Sequence, residues 1–334
     1  MQAALVFLLL LLGRASLQAE LNTAGLPAQP AAAFNLSLEN FARSEFGQAL
    51  DQTVLKDPAN HAATRQLKEK LSLDLLQDVR EISGATYPGA DGKVAEKNPL
   101  IVILLRGNFN LARFEECAAK NSLKAKESGH YHGWDLQAFA EAVFEQKGKP
   151  EDADKAFLVP VDAHTIALIH RDILDKALAA LASGSPSCQL ILPESIRQKF
   201  AATPKGWLFV YADASKLKQA EAANGATDAA ITFGEIEHAL QFNLLIDFLE
   251  EAKAKTTQKQ FKGLQALAMM GMMTNLGKTE ADAEKQRNLM DLIQKIKVTV
   301  TGKNITLSLD YPTDKAVQTL LQNINPPAKA DPAK

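Results

Sequence analysis

The 334-residue chain is poor in aromatics (6%, with two Trp and four Tyr), has two cysteines, and balances 37 basic against 39 acidic side chains for a formal net charge of −2. Two cysteines exclude a disulfide-dense scaffold, and neither CxxC nor HExxH spacing occurs to build a closed zinc site. A near-neutral balance, with pI near 6.3, supplies no field that would gather nucleic acid or an anionic membrane. No apolar run reaches the roughly 20 residues of a spanning helix. A GxSxG nucleophile elbow is missing too. What remains is ordinary: 46% hydrophobic and 23% charged residues, the proportions of a globular chain able to bury a large core. At about 150 residues per domain, the length suggests roughly two domains.

Ala3 to Leu12 read AALVFLLLLL, the length of a signal-peptide h-region, and Ala19 before Glu20 is a suitable cleavage point. Residues 1–19 are therefore expected to be a signal peptide and the mature chain to be exported, periplasmic or extracellular, without a spanning segment. No cysteine follows the run, which argues against a lipid anchor. In an oxidising compartment Cys117 and Cys188 are able to bridge, closing a loop of about 70 residues worth roughly 4 kcal/mol in the chain-entropy account. The other reading is two inert thiols, with Cys117 in the core of a helical stretch, LARFEECAAK.

Residues 20–76 read as a Pro/Ala linker, Leu26 to Ala33, followed by helices broken at Lys56-Asp57-Pro58, because proline suits a helix start and not its interior. From Val79 the period changes. VREISGATY has strand composition, and the continuous apolar run LIVILL (Leu100 to Leu105) suits a strand covered on both faces. A helix over Phe109 to Lys120, a strand around Trp134, a hairpin over Asp162-Ala163-His164 and a helix over Arg171 to Ala182 complete a first α+β unit, 77–187. A second unit, 188–324, repeats the pattern. It has an apolar strand at Trp207 to Tyr211, paired strands over 229–248, two helices over 249–296, and a strand-turn-strand-helix run from Val298 to Ile324 with period-2 alternation on both strands. The Pro- and Ala-rich end, 325–334, is expected to be a disordered tail. The fold class is α+β: an N-terminal helical segment followed by two related units of mainly antiparallel sheet with packed helices.

The segment FLVPVDAHTIALIHRDILDKALAALASG, together with the strand pairs at 78–107 and 298–312, resembles a pattern in uncharacterised exported bacterial proteins that carry two α+β units after a signal peptide. The resemblance spans roughly residues 75 to 325 and implies fold and compartment. That family has no established activity, so it transfers no catalytic residue and no cofactor.

Candidate sites are few. His130 and His132 lie two apart, which on a strand puts both on one face and could begin a zinc or copper site, although no nearby ligands complete it. Gly271 to Thr279 imitates a phosphate loop but places five residues between its glycines where four are needed. Met269, Met270, Met272 and Met273, with Leu264, Leu267 and Leu276, form the most unusual apolar patch; methionine clusters line adaptable grooves for lipids or partner helices, and also fill cores. These features favour a non-enzymatic binding module with an unidentified protein or apolar ligand as partner. The alternatives are a carrier of an apolar ligand in a sheet-helix groove and a hydrolase whose site is assembled in space.

Overall fold

A computed structural model describes residues 25–27, 29–51, 58–95, 99–128, 130–145, 155–182, 206–216, 225–274 and 280–324. Residues 1–19, expected to be a signal peptide, Cys188 and residues 325–334 lie outside them. The first half runs β1 (Ala32–Ser37), α1 (Leu38–Arg43), α2 (Glu45–Leu50), α3 (Pro58–Leu71), α4 (Leu75–Asp78), β2 (Val79–Tyr87), β3 (Leu100–Gly107), α5 (Leu111–Lys120), β4 (Lys126–Ser128), β5 (Tyr131–Asp135), α6 (Leu136–Phe144), β6 (Ala156–Asp162), β7 (Thr165–His170) and α7 (Leu174–Ala182). The second runs β8 (Leu208–Asp213), β9 (Ala226–Ile236), β10 (Ala239–Phe248), α8 (Glu251–Thr274), α9 (Glu280–Lys295), β11 (Lys297–Thr301), β12 (Asn304–Pro312) and α10 (Thr313–Ile324). The α+β class expected from the sequence is what the chain adopts, with antiparallel pairing at each described strand contact.

All described strands join one twelve-stranded sheet in the order β11-β12-β10-β9-β8-β1-β2-β3-β7-β6-β5-β4. Within it β1-β2-β3-β7-β6 and β8-β9-β10-β12-β11 are the same arrangement, met from opposite ends. The registers agree: Ile82, Leu105 and Ile166 lie abreast in one block, Ala229, Ile246 and Ile305 in the other. The blocks join where β1 pairs with β8, Phe34 opposite Val210. That antiparallel junction sets an approximate two-fold axis normal to the sheet.

The reading of 26–33 as a linker differs from the structure here. Leu26, Ala31 and Ala33 are buried, and β1 is the middle strand that joins the two halves. AAFNLS is too short and too Ala-rich to announce itself as a strand; hydrogen bonding from both sides makes it one.

Each face of the first half is covered. On the front, Leu36, Ile82 and Ile166 pack with Leu67 and Leu71 of α3, Phe114 and Cys117 of α5, and Phe139 of α6. On the back, α7 lays Leu174, Ala177 and Leu178 over Ala33, Ala85 and Val102. β3 therefore faces helices both ways, as its unbroken apolar run predicts. Local chemistry sets the joints. The expected strand around Trp134 stops at Asp135, whose carboxylate accepts the Ala138 N–H at 2.7 Å and caps α6. Ser44 does the same for Gly47 at the start of α2. In the second half the helices, α10 included, pack on the front, where Trp207 meets Phe41 edge-on at 4.7 Å and Tyr311 and Ala316 join the cluster.

Candidate functional site

The internal repeat shows where the second half departs from the first. α8 and α9 stand between β10 and β11 as α5 and α6 stand between β3 and β6. α5 buries Phe114, Cys117 and Ala118, and α6 buries Phe139 and Val143. α8 has 24 residues and buries only Ala254 among its described side chains; no described side chain of α9 is buried. Its inward stripe is partly polar. Gln258 Nε2 donates to the Val298 carbonyl at 3.1 Å, and Gln265 Nε2 donates to those of Ile293 and Ile296 at 2.6 and 3.2 Å. These bonds lay α8 antiparallel to the end of α9 and the start of β11. On the other side of the helix Leu264, Leu267 and Met270 are 62%, 64% and 63% exposed, and Leu289 of α9 is 40% exposed. Gly263 and Gly271 add open space on that side, and exposed Lys259 and Lys262 precede it.

The four methionines of this region do not share a face. Successive helical residues lie about 100° apart, so Met269 and Met272 are half-buried while Met270 points outward; the Met273 side chain and Leu276 lie outside the described residues. The exposed patch is made by Leu264, Leu267 and Met270, a spacing of three.

His130 and His132 are not brought onto one strand face. His130 is exposed in the turn before β5, while His132 on β5 meets Glu115 of α5, Nε2 to Oε1 2.6 Å, and the edge of Trp134 at 5.4 Å. Among the described residues no three His, Cys, Asp or Glu side chains converge to hold a metal. Beside His132, Tyr131, Phe157 and Leu178 line a depression with room for about one water molecule, and Lys126 lies 4.7 Å over the Phe157 ring.

A polar row unmarked in the sequence crosses the back of the second half. Asp213, Asp228, Asp247 and Asn304 stand abreast on β8, β9, β10 and β12. Tyr211 donates its hydroxyl to Asp228 at 2.6 Å, Asn304 donates to Asp247, and Lys216 pairs with Asp213 at 3.2 Å. Burial, then the Asp228 bond and the flanking carboxylates, push the Tyr211 phenol far above its ordinary value. The equivalent row in the first half is Ser37, Glu81, Arg106 and Thr165, where Arg106 bonds Glu81 at 2.7 Å and Ser83 at 2.6 Å. Each Asp lies near a strand end, but only the register shows that they align.

Cys117 is a free thiol, 6% exposed, under α5 against the front of the sheet. Its burial also raises its pKa, against the pull of Lys70 and Lys120. The bridge considered for Cys117 and Cys188 is not formed: the inward stripe of α5 commits Cys117 to the core.

No family profile matches the chain and no curated protein matches it. Among solved structures it is similar to TP0453. Crystal form III superposes with a TM-score of 0.47 at 9% identity, over 91% of this chain and 100% of that one. Crystal forms IV and I give TM-scores of 0.45 and 0.42 at 8% identity, over 91% of this chain and 98% of theirs. A likeness at these values carries no functional argument.

Proposed function

We propose that the protein is an exported binding module, periplasmic or secreted, whose working surface is the open face of the α8–α9 pair. One observation carries the reading: Leu264, Leu267 and Met270 are each more than 60% exposed on a single helical face, in a protein whose equivalent helices bury their apolar stripes. Single exposed apolar side chains are common, but a contiguous patch marks an interaction surface. The Gln258 and Gln265 bonds to backbone carbonyls hold the inner side of α8 in place, so the outer side is presented on a fixed element. Covering one such side chain is worth about 1–2 kcal/mol, since each is already partly shielded.

A carrier of an apolar ligand is the second reading, favoured by half-buried Met269 and Met272 on the inner side of α8. The depression beside His132 is too small for such a ligand.

The test is titration of the native protein with the hydrophobic dye ANS, beside Leu264→Lys and Leu267→Lys. The expected result is dye binding by the parent, reduced severalfold in each variant at unchanged melting temperature. A parent that does not bind the dye would refute the reading.

A further inference from the structure

We infer that the outer edge of β11 accepts an extended strand from a partner protein, with Gln258 of α8 standing guard over it. This surface is separate from the outer face of α8, and the internal repeat locates it. Ile166 and Ile305 hold equivalent places beside Leu105 and Ile246, and the hairpins that contain them align residue by residue. Leu158 of β6, opposite Leu168, corresponds to Val298 of β11, opposite Leu307; Phe157 corresponds to Lys297 and Pro160 to Val300.

In the first half that edge is taken. β5 pairs antiparallel with β6, setting Trp134 opposite Leu158 and Asp135 opposite Phe157, and β6 is buried along most of its length. β11 ends the sheet among the described strands, and its Lys297, Thr299 and Thr301 are exposed. Bonds between antiparallel strands alternate along the ladder. Counted back from the two-residue turn Gly302-Lys303, Val298 and Val300 direct their N–H and C=O groups away from β12, toward the side on which β6 meets β5. The Gln258 side chain reaches this edge and donates Nε2 to the Val298 carbonyl at 3.1 Å. It takes the place beside Val298 that Trp134 fills beside Leu158.

Three observations choose the occupant. The first is that the edge is fit to pair. Edges kept single carry proline, bulges or charge. Covered β6 has Pro160 and a register shift between Pro160 and Asp162, whereas β11, KVTVT, is rich in strand-forming residues, pairs in unbroken register and has one charge, at its first residue. The second is the geometry of the repeat, which calls for an antiparallel strand with a bulky apolar residue opposite Val298. The third is charge. A strand seated as β5 is seated puts the counterpart of Asp135 opposite Lys297, and facing residues of opposite charge attract. The partner therefore offers a large apolar residue followed by an acidic one, on a strand held mainly by main-chain hydrogen bonds.

The probe is a fluorescein-labelled peptide of this chain's own residues 130–136, HYHGWDL, titrated into the full chain and followed by anisotropy. The parent should bind it weakly and saturably. Gln258→Ala should tighten binding about fivefold, the factor that one side-chain hydrogen bond is worth, and Lys297→Glu should weaken it severalfold. Val300→Pro removes an outward N–H and copies Pro160 of the aligned strand, so it should abolish binding while circular dichroism and melting temperature hold; a peptide with proline in place of its tryptophan should not bind at all. No binding to the parent or to Gln258→Ala at up to about 1 mM peptide, or binding indifferent to Val300→Pro, overturns the inference. Binding lost in Leu267→Lys but kept in Val300→Pro puts the peptide on the outer face of α8, which also overturns it and leaves the proposed function standing. Mass doubling of Gln258→Ala in sedimentation without peptide assigns the edge to a second copy and overturns the choice of partner.

Discussion

If β1 is the strand through which the halves share one sheet, damage to it should be felt equally on both sides. Leu36 is the sharpest probe. It is 4% exposed, lies beside Ile82 of the first half and Leu208 of the second, and sits in the front core. Leu36→Ala removes the packing of a buried leucine and leaves a cavity that flanking strands cannot close, a cost of about 3 kcal/mol. At about 2 °C per kcal/mol for a chain of this size, the melting temperature should fall by about 6 °C. The protein carries its own reporters. Trp134 is 2% exposed in the first half and Trp207 is 1% exposed in the second, so Trp207→Phe leaves fluorescence that reads the first half and Trp134→Phe leaves fluorescence that reads the second. In urea, Leu36→Ala should lower both midpoints by the same free energy. A shift in only one of them, or a loss under about 1 kcal/mol in both, would refute the claim that β1 couples the halves.

Three further outcomes follow from particular contacts. Tyr211 is held neutral in the folded chain above its ordinary pKa, so its contribution is complete below about pH 10, where the unfolded phenol titrates, and falls as pH rises beyond that by about 1.4 kcal/mol per unit; the parent should lose stability against Tyr211→Phe above pH 10 in urea melts, and parallel curves would contradict it. The β9–β10 hairpin turns through Glu237 and His238, both at positive φ (48° and 64°), where Asn-Gly is the favoured pair. Glu237→Asn/His238→Gly should therefore stabilise by about 1 kcal/mol, net of an exposed His238–Glu45 contact; an unchanged midpoint would show that the turn carries no strain. Cys117, buried with a raised thiol pKa, should react with Ellman's reagent in a Cys188→Ser variant only after denaturant is added, and rapid labelling of the native protein would count against its core position.

Much of the fold is legible because each element carries its own period. LIVILL is apolar throughout and lies between helices, and β6 and β7 are nearly as apolar along their length; β11–β12 alternates, and the two hairpins close over Asp162 to His164 and over Gly302-Lys303. β1 is not legible, since six residues of AAFNLS show no period that outweighs the Ala and Pro around them, and its identity comes from strands far away in the chain. The methionine patch illustrates the same limit. Sequence marks 264–273 as unusual, while the helical phase decides that Met269 and Met272 turn inward and that Leu264, Leu267 and Met270 form the outer face. The pair His130 and His132 has the right spacing, and the strand begins one residue too late to use it.

From the sequence alone come the α+β class, the two repeated strand-and-helix units and the expectation of an export signal, because periodicity, turn chemistry and an apolar run are local properties. Only the tertiary structure decides that the units fuse through β1 and β8 into a single sheet, that three aspartates from separate strands align beside Tyr211, and that α8 keeps an apolar face open where its counterparts close theirs. Those depend on which surfaces meet, and no single segment of the chain carries that information.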